Sequence, residues 1–437
     1  MLGQPKTDPR QFSKTAFFKA IGYTPHAGQV KVHRSTAPRR VLACGVRFGK
    51  SLCAAAEALS AAMAPCDRSF GWVVGPTYDL ADKVFRECSY LAARRIQNHV
   101  ISIKDGEKRI LLRNLAGGVS EIKAKSADNP TSLLGEGLDW TIVDEAARLK
   151  PAIWESHLSQ RLIDKRGWAL LISTPRGKGL FYDLYRRGQS DDPDYESWNA
   201  PSWVNPHLDR DLIERERDRL PDRVFRQEFG GEFVEGAGQV FRNVRECATG
   251  DWQEPVTQTT YYAGLDLAKT EDYTVLIIVN RDREVVFMDR FHRIDWEQQV
   301  QRIIAATERY RVQSMVVDST GKGEPVFEAL RRAGARATAY PFTARSKAAL
   351  VDNLSLMLEK KIITLPKPSL APELIDELES FQYSTTDSGN IRTGAPSGYH
   401  DDAAIALALA AWELRESKPQ CTVASVPIMI YSSEGWH

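Results

Sequence analysis

The sequence predicts an α/β chain of two successive sheets, the first doubly wound and largely parallel, the second opening with three antiparallel strands. Three observations predict this. Residues 44–51, Cys-Gly-Val-Arg-Phe-Gly-Lys-Ser, stand between the apolar run Val41-Leu42-Ala43 and an alanine-rich helical pattern from Leu52 to Ala62. Strand, glycine loop, Lys-Ser and helix is the order a phosphate-binding loop needs. From Val41 to about Leu171 strand and helix patterns alternate, which implies parallel strands joined by right-handed crossovers. Beyond Val256 three strand patterns come in succession before helix and strand alternate again.

The elements follow from the periodicity. In the first sheet strands are expected at Arg40–Ala43, Phe70–Val74, Arg109–Leu112, Ser120–Lys123, Trp140–Val143 and Trp168–Ile172, with helices at Ser51–Met63, Tyr78–Ile96 and Ile153–Gln160. Residues 1–20 are polar and basic and read as an arm; 21–182 form the first core. Residues 183–250 read as a linking subdomain: an Asp- and Pro-rich stretch at 190–194, a charged helix Asp209–Arg219, the run Phe225–Phe233, and glycines at 236 and 238 marking a boundary. Residues 251–418 hold strands Tyr261–Leu267, Thr274–Val279 and Glu284–Phe291, helix Trp296–Tyr310, strand Ser314–Asp318, helix Glu324–Arg332, strand Ala335–Pro341, and helices Ser346–Lys361 and Asp401–Glu416. Residues 419–437 are a tail without a clear pattern.

Composition bounds the function. The 437 residues suit two or three domains, and 43% hydrophobic with 26% charged residues is enough for sizeable cores. A net charge of +1 excludes global basicity, so a DNA partner would meet local patches. The six cysteines are scattered without a CxxC pair, which argues against zinc and disulfides and fits a reducing compartment. The longest apolar run, Ala403 to Trp412, is too short to span a bilayer, so a soluble, intracellular protein is expected.

The first candidate site is nucleotide-binding. Backbone N–H groups across Gly45, Arg47 and Gly49 would cradle phosphate oxygens, Lys50 would reach the β/γ-phosphates and Ser51 would hold Mg²⁺. Cys44 stands where the full pattern has its first glycine. Residues 140–145 form an apolar run ending in Asp144-Glu145; Asp144 would bind Mg²⁺ and Glu145 would orient the attacking water. Gln29, after Pro25, reads either as an adenine clamp or as part of a surface turn and helix cap. Ser173-Thr174-Pro175 ends a strand and could sense the γ-phosphate, coupling hydrolysis to motion, or simply turn the chain.

The second site is acidic. Asp266 ends one strand, Asp318 another, and Asp401-Asp402 open the last helix. Three such carboxylates could hold two Mg²⁺ or Mn²⁺ about 4 Å apart for phosphodiester hydrolysis. Asp401 is favoured over Asp402 as the third ligand, and one of the two reads equally as a helix cap; Asp272 and His400 are auxiliary candidates. Lys178 and Lys322, in Gly-Lys-Gly loops, could touch DNA phosphates or be merely solvated. The fold class is therefore α/β, a P-loop ATPase with a RecA/ASCE-like parallel sheet followed by a ribonuclease-H-like nuclease domain.

In that order the two halves resemble the large terminase subunit of tailed bacteriophages. The resemblance spans about residues 20–415. It is carried by Pro25 with Gln29, Cys44–Ser51, Gly75-Pro76-Thr77-Tyr78, Asn129-Pro130 with Leu134-Gly135, Val143-Asp144-Glu145-Ala146, Ser173-Thr174-Pro175, Phe229–Phe233, Asp266, Asp318 and His400-Asp401-Asp402. It implies Arg47 as an arginine acting in cis on the γ-phosphate. It also implies ATP-driven translocation of double-stranded DNA into a procapsid, metal-dependent cutting of the concatemer, and a ring, usually a pentamer, on the portal protein. A small terminase subunit is a further implied partner, the tail would either bind the portal or be a disordered end, and the isolated chain would be monomeric. The place of action would be the cytoplasm of an infected bacterial host and, transiently, the portal vertex. A helicase-like repair ATPase fused to a nuclease is the alternative; it needs a second RecA-like domain, for which residues 176–255 are short and polar.

Overall fold

Strands form where an apolar run is buried on both faces. In β1 (Arg39–Cys44), Val41 to Cys44 are fully buried, and every residue of the strand Trp140–Asp144 is buried. The computed structural model describes residues 12–135, 137–234, 238–267, 273–318, 324–385, 391–396 and 400–415. Contacts divide the chain into two units, Met1–Gly238 with Ser384–Arg392, and Gln239–Tyr383 with Thr393–His437.

The first unit holds an eight-stranded sheet. After β1 come β2 (Arg68–Gly75), β3 (Val100–Lys104), β4 (Arg109–Arg113), β5 (Val119–Ser126), β6 (Trp140–Asp144), β7 (Trp168–Ser173) and β8 (Tyr195–Ala200). Their order across the sheet is β3-β4-β5-β2-β6-β7-β1-β8. From β5 to β8 all pairings are parallel; β3 and β4 add an antiparallel edge. All six strands expected from the periodicity are present. Two were not foreseen. β3 alternates within a polar stretch, and β8 lies in the segment read as a linking subdomain, where it joins β1 along its whole length. Tyr195–Ala200 is thus part of the first sheet, while residues 239–250 fall in the second unit.

The basic arm is also corrected. Its first eleven residues lie outside the described residues, but α1 (Lys14–Ala20) buries Phe17 and Phe18 in the core of this sheet, and α2 (Ala27–Arg34) adds Val32. Helix α3 (Lys50–Met63) runs through the same core. Its alanines let it approach the sheet closely, and Cys53 to Ser60 are buried without interruption. Helix α4 (Tyr78–Arg95) packs beside it.

A buried ion cluster ties these elements together. Glu57 of α3 lies 3.0 Å from Lys14 Nζ, 2.6 Å from His33 Nδ1 and 2.7 Å from Arg40 Nη1. Burial alone would raise the Glu57 carboxyl, but Arg40, the His33 hydrogen bond and Lys14 outweigh it and hold it at about 2.

The second unit carries a five-stranded sheet. Its strands are β9 (Tyr261–Asp266), β10 (Thr274–Asn280), β11 (Val285–Phe291), β12 (Ser314–Asp318) and β13 (Ala337–Tyr340), in the order β11-β10-β9-β12-β13. The first three are antiparallel, and β9-β12-β13 are parallel, as the element order predicts. Two helices near its end matter for the site. Helix α5 (Pro372–Ser380) was not foreseen. Helix α6 (Asp402–Glu413) crosses β9, β10 and β12 with Asp402 to Ala411 all buried. It sits so close that a Cβ on Gly264 would lie 2.1 Å from Ala406 O. The apolar run Ala403–Trp412 is therefore a core helix, and among the described residues no helix is long and apolar enough to cross a membrane.

The Glu57 cluster makes a testable prediction. Its folded carboxyl lies below the unfolded value, so its stabilisation is present above about 4.5 and is lost as pH falls towards 2. Glu57→Gln should cost about 3 kcal/mol at pH 7, read from urea unfolding, with the gap to wild type closing on acidification.

Candidate active sites

The first site lies where three parallel strands end side by side. β7 separates β1 from β6, and Ile172 is in register with both Leu42 and Asp144. The loop after β1, Asp144-Glu145 after β6 and Thr174 after β7 therefore share one edge of the sheet, where ligands of such sheets bind.

The loop turns into α3 at Gly49, whose φ of 95° is left-handed and suits glycine. Lys50 folds back over the loop: Nζ donates to Cys44 O and Gly45 O at 2.8 Å each and to Thr174 Oγ1 at 3.1 Å. Burial lowers its ammonium, opposed by the charges of Glu145, Asp144 and Glu228. Ser51 is the second residue of α3, partly exposed at its mouth. Arg47 is exposed on the loop with φ 61°, and its carbonyl accepts from Asn205 Nδ2 at 2.9 Å.

Asp144 is 3% exposed. Oδ1 accepts from Glu145 N at 2.9 Å, while Oδ2 is buried without a partner. Burial, then the charge of Glu145, push this carboxyl up to about 6. A buried oxygen without a donor fits a cation. Glu145 holds a left-handed backbone, φ 53°, with Lys83 Nζ at 3.6 Å and Arg148 Nε at 4.0 Å. Such strain in a non-glycine residue is tolerated where the surroundings enforce it. Ser173 is fully buried, its hydroxyl donating to Thr174 O at 2.9 Å.

Gln29 departs from the adenine-clamp reading. It is 3% exposed, its oxygen accepts from His26 N at 3.1 Å and its nitrogen donates to Gly49 O at 3.0 Å. Each end of the amide already makes one bond, in a capping box and in bracing the loop, so the side chain is tied to the loop and only one N–H and one lone pair are left over.

Sequence reasoning missed the outer support of the loop. Gly45 N donates to Ala200 O at 3.0 Å, Val46 N to Glu228 O at 2.7 Å, and Ser202 Oγ to Val46 O at 2.6 Å. Asn199 Nδ2 donates to Ala43 O at 3.0 Å and also to Gly231 O. Residues 199–205 and 228–231 thus buttress the phosphate loop. The clue was the Phe225–Phe233 run, which pattern alone could not place.

The second site lies in the other unit, again at strand ends. Leu265 pairs with Val317, so Asp266 and Asp318 follow on adjacent parallel strands. Burial, then Asp402, Asp318 and Asp401, push the Asp266 carboxyl well above its ordinary range, with Lys347 opposing. Asp402 is buried, its Oδ2 accepting from Tyr273 N at 3.1 Å with His400 Nδ1 at 3.7 Å. Asp401 is half-exposed with Lys347 Nζ at 3.4 Å. Neither aspartate side chain caps α6 at Ala403 or Ala404. Glu377 does, its Oε2 accepting from Ala403 N at 2.7 Å and Ala404 N at 3.2 Å. The carboxylates crowd without converging: among the described residues no three acidic, histidine or cysteine groups are gathered tightly enough to hold a metal. Their chemistry, hard anionic oxygens that repel one another, still suits Mg²⁺ or Mn²⁺. Asp272 and Lys322 lie outside the described residues; Lys178 is exposed, its Nζ 5.6 Å from the Tyr182 ring centroid.

These two sites define an ATPase coupled to a ribonuclease-H-like nuclease. The family described as "Terminase large subunit, T4likevirus-type, N-terminal" matches residues 41–246, and "Terminase RNaseH-like domain" matches residues 263–413. The chain is 33% identical over 433 residues to the large terminase subunit of Thermus virus P23-45, covering 90% of this chain and 88% of that one; the same figures hold for the large subunit of Thermus phage G20c. In fold it is similar to the solved large terminase of a thermophilic bacteriophage, with a TM-score of 0.60, 14% identity, and coverage of 90% of this chain and 100% of that one. The chain belongs to the terminase large subunit family, whose work is the packaging and cutting of phage DNA.

The bracing role of Gln29 is testable. Gln29→Ala should raise the KM for ATP roughly fivefold through a loosened loop, at one or two lost hydrogen bonds. The ratio of ATP to GTP hydrolysis should stay within about twofold of wild type; a collapse of that preference would mean that Gln29 reads the base.

Proposed function

We propose that the first unit hydrolyses ATP to drive double-stranded viral DNA into a procapsid and that the second cuts the concatemer with two Mg²⁺ or Mn²⁺ ions. The observation that carries this reading is the presence of two acidic centres in one chain, each at the carboxyl ends of neighbouring parallel strands: Asp144 close to Lys50, and Asp266 close to Asp318 and Asp402.

In the first centre Gly45, Gly49 and their neighbours cradle the phosphates, Lys50 leaves the loop carbonyls for the β/γ-phosphates, and Ser51 with Asp144 holds Mg²⁺. Glu145 orients the attacking water, and Arg47 reaches the γ-phosphate from the loop. Lys50 bonds to Thr174 in the structure, so its transfer to phosphate frees that hydroxyl. This gives the Ser173-Thr174 segment a direct way to register nucleotide.

In the second centre Asp266, Asp318 and Asp402 hold the ions, and Asp401 borders them. Asp402 is preferred to Asp401 because it is buried and acts most strongly on Asp266. The ions supply positive charge for the attacking water and the leaving 3′-oxygen. Asp266, Asp318 and Asp402 would supply the anionic oxygens for them, and with Lys347 these side chains set the charge of the centre.

The partners are double-stranded DNA, a portal protein and a small terminase subunit. On the portal the chain forms a ring, a pentamer by the family resemblance, and in isolation it is monomeric. It acts in the host cytoplasm and at the portal vertex. The domain assignment is an ATPase unit that takes in residues 12–238, with 199–205 and 228–231 buttressing its loop, a nuclease unit from 239 to 418, and a tail at 419–437 that meets the portal.

Cleavage of supercoiled plasmid with Mn²⁺ tests the nuclease. Wild type should linearise the plasmid, and Asp266→Ala should lose about a thousandfold in rate. Lys50→Ala should lose roughly a hundredfold or more in ATP hydrolysis while plasmid cleavage is retained. Loss of both activities in Lys50→Ala would contradict two separable centres.

A further inference from the structure

Helix α6 presents a positioning problem. It brings Asp402 to the nuclease centre, and its buried residues after Asp402 are six alanines, at 403, 404, 406, 408, 410 and 411, with Ile405, Leu407 and Leu409. The alanines allow close approach, here directly over Gly264, so the height of the first turn over the sheet sets where Asp402 lies. An error of about 1 Å in the height of Asp402 would spoil the centre.

The helix is held from outside. Glu377, on α5, is 6% exposed and accepts from both Ala403 N and Ala404 N. Its Oε1 lies 3.4 Å from Arg290 Nη2 on β11. The Arg290 guanidinium lies 3.6 Å from the centroid of the Tyr273 ring, and Tyr273 N donates to Asp402 Oδ2. The contacts close a ring: Glu377 to the first turn of α6, Asp402 to Tyr273, Tyr273 to Arg290, and Arg290 back to Glu377. A buried carboxylate is costly, and a neutral helix cap would serve stability as well.

We propose that Glu377 and Arg290 are positioning residues of the nuclease: together they fix the height of the first turn of α6 and the direction of the Asp402 carboxylate towards Asp266. The inference rests on the nuclease reading of the second unit. Neither residue touches DNA or metal; both act through Asp402. Residues that orient metal ligands from behind commonly change metal affinity ten- to a hundredfold.

The test compares full-length wild type, Glu377→Gln and Glu377→Ala. Two readouts are taken: the Mn²⁺ concentration giving half-maximal plasmid cleavage, and that giving half-maximal Mn²⁺-induced rise in melting temperature. Glu377→Ala should raise both about tenfold or more. Glu377→Gln, which keeps an acceptor for the helix N–H groups but loses the charge facing Arg290, should raise them a few-fold. ATP hydrolysis should match wild type in both variants. Unchanged half-points in Glu377→Ala, whether or not the maximal rate falls, would reduce Glu377 to a structural cap and overturn the inference. Should Glu377→Ala fail to fold, the Gln variant decides by the same criterion. If wild type shows neither cleavage nor Mn²⁺-induced stabilisation, the nuclease reading falls and this inference with it.

Discussion

The constraint on which both sites depend is a carboxyl group placed at the end of a central apolar strand, buried at Asp144 and half-buried at Asp266. Asp144 closes a strand whose other residues are Trp, Thr, Ile and Val, and burial pushes it to about 6. Asp266 closes Tyr-Tyr-Ala-Gly-Leu and is pushed well above its ordinary range by burial and three neighbouring aspartates. Neither placement stabilises the fold. Each sets a carboxylate where a cation would be held more strongly than in open water.

Both units solve the approach to that anion in the same way. A helix rich in alanine lies close on the sheet, and its N-terminus delivers functional groups to the strand ends. In the first unit α3 delivers Lys50 and Ser51, entering through the left-handed Gly49. In the second α6 delivers Asp401 and Asp402, made possible by Gly264 beneath it. The helices differ in what fixes them along their axes. Within α3, Glu57 is gripped by Lys14, His33 and Arg40. α6 carries no such buried charge beyond its first turn and is instead held at its end by Glu377.

What was legible in the sequence were the features carried by local pattern. The phosphate loop, the Asp-Glu pair and the strand-end aspartates each stand at the junction of a long apolar run and a turn, so their place in the fold follows from periodicity. The parallel order of the first sheet and the antiparallel start of the second follow from element order. Features made by distant segments were not legible. β8 looked like a polar linker because an edge strand needs only one apolar face. The basic look of residues 12–20 hid Phe17 and Phe18, which bury under the same helix that Lys14 salt-bridges. Gln29 could be read as a base clamp because nothing local announces that Gly49 and His26 will occupy its amide. Glu377 carries no motif; its role exists only because two helices meet.

The central claim is that the acidic centres are built at the expense of the metal-free fold. The most direct measurement is the melting temperature of Asp266→Asn beside wild type, with EDTA and with Mn²⁺. Removing one half-buried charge crowded by three other aspartates should raise the melting temperature in EDTA and abolish the rise that Mn²⁺ gives wild type. A variant that melts below wild type in EDTA, or that still responds fully to Mn²⁺, would contradict the claim.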